Sequence, residues 1–512
     1  MRLLLVLLLL AVPALAQPRT AEPAFNLALA ASVFSSALSF TAPRTLEAVT
    51  VPQLTAWGLQ GVTALDTGLT VQLRDGAIAL DVGGKAQFQR GAPPLPTADG
   101  WGAAAADVFA AAWEVSPSLR QAGTQALIGA FFDEVFNHLD PYSRYVPPGA
   151  ADADRAHRSG EAGAGLSLVR RGGMLIVDNV NSDGPAGEAG IIVGDRVSAV
   201  DGRSTQGASA ATVMGWLAGP EGTVVTIAVR GRDGRVRVLG VERAVTPPET
   251  VYAVRSGDVL ALRITSFSAD TGARLARELS TAFGPTIAPV RKPRGLVLDL
   301  RGNRGGLLRQ AVAAAGLLLD SGLITVTEGR NPNASHRWEA GAAGDATGGV
   351  PVVVAVDGRT ASAAEILAAA LADDGRAVVV GSSTLGKGLV QTIGTLPDGG
   401  ELFVTWSRVL APLGWPIQGL GVLPQVCTSL GQDDLALQLS SLERGVQRLQ
   451  AALDRHRAAR IPVAPAMILE QRTVCPAGEP REGDMLAAHY LLEHPNAYAA
   501  ARLLPAASAT LR

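Results

Sequence analysis

Residues 351–391 read PVVVAVDGRTASAAEILAAALADDGRAVVVGSSTLGKGLVQ. Val352 to Val356 is a strand-like apolar run, and Asp357-Gly358-Arg359-Thr360 supplies a turn. Ser362 to Leu371, rich in Ala, Leu and Glu, predicts a helix that Asp373, Asp374 and Gly375 end. A second β-branched run, Ala377 to Val380, predicts a strand, followed by Lys387 between two glycines. Strand, helix and strand within about 40 residues form a βαβ unit. Such a unit brings the ends of both strands to one edge of the sheet, where open α/β sheets place ligands. Ser362 at the helix start and Lys387 beyond the second strand are therefore expected to face one crevice.

Working outward, Thr360-Ala361-Ser362-Ala363-Ala364-Glu365, Asp373, Gly375-Arg376-Ala377 and Gly386-Lys387-Gly388 with Gln391 carry a family resemblance. A second block, Asp299-Leu300-Arg301-Gly302-Asn303-Arg304-Gly305-Gly306, looks like a DLRGNxGG loop. Together they resemble the C-terminal processing peptidases, or tail-specific proteases, which are Ser/Lys hydrolases. The intervals 362 to 387 and 387 to 391 both match, and the resemblance runs from Gly129 to Pro424. It implies an α/β (α+β) multi-domain chain: a crotonase-like α/β protease domain with an inserted PDZ β-domain and an N-terminal helical segment. Departures are Arg304 for the usual Pro, Ala364 for a frequent Ser, and Trp415 for the usual Arg.

The chemistry is consistent with that resemblance. A serine hydroxyl needs a base within hydrogen-bond reach. The chain has six histidines and none between His336 and His456, and it carries no GxSxG elbow. Both facts favour lysine. Lysine is a base only when neutral, so burial must lower its pKa of about 10.4 by roughly 2–3 units, each about 1.4 kcal/mol. Gly386 and Gly388 are expected to place the Lys387 amine in a tight apolar site beside Leu385 and Leu389. Gln391 is expected to orient it without adding charge. Ser362 at a helix start feels the positive helix end, and the free N–H of Ala363 is a natural oxyanion donor. The second donor is expected from the Gly305-Gly306 loop, with Gly305 preferred. Asp373 is read as structural. No cofactor and no metal are expected.

His157 to Ala244 resembles a PDZ domain. Gly163-Ala164-Gly165-Leu166-Ser167-Leu168 looks like its carboxylate-binding loop, and Gly184-Pro185-Ala186, Gly194-Asp195-Arg196-Val197 and Asp201-Gly202 like its middle signature. Val193 stands where Pro is usual. Successive N–H groups of such a loop bind a terminal carboxylate while the peptide adds as a strand. Gly163, Ala164, Gly165, Leu166 and Leu168 are the expected substrate-binding residues.

Residues 1–16 carry one charge, Arg2, then an apolar run and an Ala14-Leu15-Ala16 cleavage pattern, which read as a secretory signal peptide. The run is shorter than the roughly 20 residues a spanning helix needs, so no integral span is expected in the mature chain. Export, to a bacterial periplasm, is the expected location. Cys427 and Cys475 are the only cysteines; in an exported chain they are expected to form a disulfide, with two unrelated thiols as the alternative. Forty-four basic against 46 acidic residues give a net charge of -2, which argues against a nucleic-acid partner.

The chain thus divides into a signal peptide (1–16), a region of unread role (17–100), a helical segment (101–155), a PDZ domain (156–245), a protease domain (246–430) and a C-terminal tail (431–512). Residues 25–40 suggest a helix, and 68–88 short hairpins turning at Asp75-Gly76 and Gly83-Gly84. Residues 101–139 read as two helices, and 433–457 as one amphipathic helix. The function implied is an exported serine endopeptidase that cleaves proteins with free C-termini. Two rivals stand beside it. One is a catalytically inactive PDZ scaffold. The other is a P-loop nucleotide binder, since Gly381 to Gly388 nearly spells GxxxxGK[ST] but lacks the final hydroxyl.

Overall fold

The computed structural model describes residues 24–181, 184–285, 291–341 and 344–503. The expected signal peptide lies outside them. The chain forms two compact units.

The first takes the described part of 1–42 with 49–139 and 396–398. Helices Leu27–Thr41, Ala98–Val115 and Thr124–Asn137 enclose a buried cluster of Phe34, Phe109, Phe131 and Phe132. Strands Leu69–Arg74, Ala77–Val82 and Lys85–Gly91 form an antiparallel meander whose turns fall at Asp75-Gly76 and Gly83-Gly84, both at positive φ. Residues 101–139 hold three helices rather than two, because Pro117 starts a short helix, Pro117–Ala122, after Ser116.

The second unit takes 43–48, 140–395 and 399–512. Its centre is a six-stranded sheet in the order Val251–Ser256, Val259–Ile264, Gly295–Asp299, Val352–Val356, Ala377–Gly381, Val426–Cys427. The first pair is antiparallel and the rest parallel. Parallel strands are covered on both faces, so they read as continuous apolar runs, and Val352–Val356 and Ala377–Gly381 are buried throughout. Val352, Val354 and Val356 pack under helices Leu308–Gly316 and Ala363–Asp373. Val353 and Ala355 face the other way, against Ala487, Ala488, Leu491 and Tyr498.

That second layer comes from the segment read as a tail. Residues 431–503 fold into five helices, among them Glu482–Glu493 and Pro495–Ala501, which cover the back of the sheet. Tyr498 is buried there, and its hydroxyl bonds Val352 N and O, each at 3.1 Å. The single helix expected over 433–457 is two, Gln432–Glu443 and Gln450–Ala458, broken at Gly445, whose φ of 78° a helix does not accept. Cys427 and Cys475 are joined by a disulfide, which ties the last strand of the sheet to the end of helix Pro465–Val474.

The PDZ region is a five-strand antiparallel path in which Leu166–Arg171 is an edge, with helix Ala210–Leu217 beside it. A further sheet joins Leu389–Thr395, Glu401–Leu410 and Arg144–Val146, and so brings Gln391 and residues 144–146 onto the two sides of strand Glu401–Leu410.

Candidate active site

Ser362 immediately precedes helix Ala363–Asp373 and takes φ 57°, ψ -120°, a left-handed conformation costly for any residue with a Cβ. What holds it there is Glu365. Its fully buried carboxylate accepts the N–H of Ser362 (2.7 Å) and of Lys387 (2.9 Å) on Oε2, and the N–H of Gly386 (2.6 Å) and the Thr384 hydroxyl on Oε1. Burial pushes this carboxyl up, and the four donors oppose that shift. Glu365 belongs to the motif Thr360–Glu365, where the sequence alone assigns it no role. Its signal was an acidic residue three positions after a helix-starting serine, the capping-box spacing.

Lys387 is half-buried, with Nζ 4.9 Å from the centre of the Tyr142 ring. Burial pushes its pKa down from 10.5 and the nearby Arg144 adds to that, while Glu365 and Asp140 pull it back. Leu389 is buried as expected, but Leu385 is 48% exposed and so does not form the apolar wall expected of it. Both bracketing glycines are required. Gly386 has φ 84°, and a Cβ on Gly388 would lie 2.2 Å from Gln418 N.

Gln391 donates Nε2 to Leu389 O (3.1 Å) and Thr405 Oγ1 (3.0 Å), and Thr405 Oγ1 donates to Asp140 Oδ1 at 2.7 Å. Its amide is thus fixed by the strands and the Asp140 turn. Among the described residues it makes no hydrogen bond to the Lys387 amine.

The glycine loop packs on the serine. A Cβ on Gly305 would lie 2.7 Å from Ser362 Cβ and 3.0 Å from Ala363 N, so only glycine fits. The preference for Gly305 as oxyanion donor needs correction: its N–H donates to Asn303 Oδ1 at 2.8 Å. Of the two glycines, Gly306 is the one whose N–H has no protein partner among the described residues, and the Ala363 N–H is likewise unpartnered. Arg304 is exposed in this loop. Asp373 is buried and accepts Trp415 Nε1 (2.8 Å) and Arg457 Nε (3.0 Å), which fits the structural reading. Trp415, in place of the usual Arg, thus shares the Asp373 carboxylate with the Arg457 guanidinium from the C-terminal helices.

Gly163, Ala164, Gly165 and Leu166 line a cavity of about 460 Å³ with Met214 and Leu217 of helix Ala210–Leu217. Leu168 is not on its wall and packs against the PDZ core instead.

The nucleotide reading does not survive this geometry. The Gly386 and Lys387 N–H groups that would cradle a phosphate already hold the Glu365 carboxylate, and the run after Lys387 is a strand, Leu389–Thr395. No helix of the described residues is long and apolar enough to cross a membrane.

Comparison with known proteins bears on the family of the chain. The model of peptidase family S41 matches residues 258–428, and a PDZ domain model matches 176–231. The carboxy-terminal-processing protease of Bartonella bacilliformis is 34% identical over 305 residues, 59% of this chain and 69% of that protein. The carboxy-terminal processing protease CtpA of Bacillus subtilis is 32% identical over 294 residues, 57% of this chain and 61% of that protein. Among solved structures, the photosystem II D1 C-terminal processing protease is 25% identical, with a TM-score of 0.35 over 75% of this chain and 97% of that one. On the strength of these sequence relationships the chain belongs to peptidase family S41, as a PDZ-containing serine peptidase of the carboxy-terminal processing proteases.

Proposed function

We propose that this chain is an exported endopeptidase that cuts proteins near a free, apolar C-terminus with a Ser362–Lys387 pair. The observation that carries the reading is the Glu365 carboxylate, which holds the backbone of both residues on one oxygen. Neutral Lys387 Nζ takes the proton of Ser362 Oγ as that oxygen bonds the scissile carbonyl carbon. The oxyanion is held by the N–H groups of Ala363 and Gly306 at the positive end of helix Ala363–Asp373. The C–N bond then breaks as the lysine ammonium returns its proton to the leaving amine. Water, deprotonated by the Lys387 amine, then attacks the acyl carbon, and the lysine ammonium returns that proton to Ser362 Oγ as the ester bond breaks. Gln391, fixed by Thr405, supports the placement of the base. Export is supported by the sequence of residues 1–16 and by the disulfide, a bond of oxidising compartments.

Tail recognition rests on the cavity beside Gly163–Leu166, which combines loop N–H groups with the apolar Met214 and Leu217, and on the free edge Leu166–Arg171. Amidating the C-terminus of an unfolded substrate removes its charge alone. Charge-assisted hydrogen bonds are worth about 1.5–3 kcal/mol, so kcat/KM is expected to fall roughly tenfold or more. Equal kcat/KM for acid and amide would refute tail reading.

A further inference from the structure

Helix Pro465–Val474 and the residues after it lie beyond the family match at 258–428, yet they bond three of the segments around Ser362. Gly358 N donates to Gly478 O at 2.8 Å, in the turn before the serine. Gly478 N donates to Ser382 Oγ at 3.0 Å, at the head of the lysine loop. Arg301, in the glycine-loop block, pairs with Asp484 at 3.2 Å.

The contact nearest the base belongs to Arg472. Its Nη1 faces four carbonyl oxygens: Thr384 at 3.1 Å, Gly419 at 3.3 Å, Leu385 at 3.4 Å and Leu420 at 3.5 Å. Two belong to the lysine loop and two to the segment that grips it, where Gly419 N donates to Gly386 O at 2.9 Å. The loop is therefore held from two sides. Glu365 collects its N–H groups from within, and Arg472 collects its carbonyls from without. All four are met by one terminal nitrogen, whose two protons are shared among them and whose guanidinium charge is never lost. Three residues on, Cys475 is bonded to Cys427 of the central sheet, which fixes the helix end that carries Arg472.

We propose that Arg472 is a positioning residue for the base: it clamps the carbonyls of the Thr384–Gly388 loop and so fixes the place and the dryness of the Lys387 amine. The inference rests on the reading of Lys387 as the base. Misplacement of a reacting group by about 1 Å costs on the order of 100-fold. A loosened loop also admits water to the amine, which lets its pKa climb back towards 10.5.

The test uses the full chain and a short quenched peptide, with kcat, KM and the pH profile measured for wild type, Arg472→Ala, Arg472→Lys and Lys387→Ala. Arg472→Ala is expected to lower kcat about 10- to 100-fold with KM nearly unchanged, and to move the acidic limb of kcat to higher pH. Arg472→Lys, which keeps the charge, is expected to recover part of both. Arg472→Gln carries the same test should Arg472→Ala not fold. A wild-type kcat and limb in the Arg472 variants, with Lys387→Ala inactive, would overturn this inference alone. A kcat loss with an unmoved limb and no recovery in Arg472→Lys would overturn it too, since that is the mark of a merely structural contact. Wild-type turnover by Lys387→Ala would overturn the base assignment and the inference with it.

Discussion

Ser362 and Lys387 donate their backbone N–H groups to the same oxygen, Glu365 Oε2, at 2.7 and 2.9 Å. The proposed nucleophile precedes the helix of the βαβ unit and the proposed base follows its second strand, 25 residues apart by subtraction of their numbers. A buried carboxylate fixes one relative to the other. Glu365→Gln would turn an amide NH2 towards donors that have no other acceptor. Each buried group left unsatisfied costs about 1–3 kcal/mol. The expected result is a lower unfolding midpoint in urea together with a fall in kcat of about 10-fold or more. A variant with wild-type stability and rate would mean that Glu365 does not set the geometry.

Ser362 has φ 57°, and such strain costs about 1–3 kcal/mol. Ser362→Gly removes the Cβ that makes the conformation costly. It is expected to be inactive and at least as stable as Ser362→Ala, read by thermal unfolding. A Ser362→Gly protein clearly less stable than Ser362→Ala would place the strain elsewhere.

Folding lowers the Lys387 pKa, chiefly through burial and then through Arg144. Activity that needs the neutral amine should rise with pH through that lowered value. The stability sign follows from proton counting. Between the lowered pKa and 10.5 the unfolded chain holds a proton that the folded chain lacks, so stability rises with pH across that window. Below the window the charged amine is a full cost to the fold. Lys387→Met is therefore expected to be inactive, to unfold at a higher temperature than wild type near pH 6, and to lose that advantage as pH approaches about 10. An advantage that stays constant with pH would remove burial of the charge as its cause.

The βαβ unit was legible because its strands are short buried β-branched runs and its helix is alanine-rich, with Ser362, Asp373 and Gly375 marking the ends. Glu365 was not, because its partners at 384–387 are brought to it only when the second strand pairs with the first. The same distance hid the C-terminal layer. Ala487, Ala488 and Ala497 are small residues that let helices lie close to the sheet, and such residues give a weak hydrophobic pattern. Gly305 and Gly306 could not be told apart in sequence. Which N–H is spent on Asn303 depends on loop geometry that two adjacent glycines leave open.

The Cys427–Cys475 bond closes a loop of sequence separation 48 and pins the helix that bears Arg472. Cys427→Ser with Cys475→Ser is expected to lower unfolding stability by about 2–4 kcal/mol. Denaturation in urea with and without reductant checks this. A double variant that unfolds with the midpoint of the oxidised wild type would show that the bond adds nothing.

The central claim is that neutral Lys387 activates Ser362, and turnover of one free-acid peptide by wild type, Lys387→Ala and Lys387→Arg tests it most directly. A general base contributes about 10²- to 10⁴-fold, and arginine does not lose its proton in a protein. Both variants are predicted to lose kcat by at least about 100-fold while remaining folded by circular dichroism. Wild-type kcat in either folded variant would contradict the account.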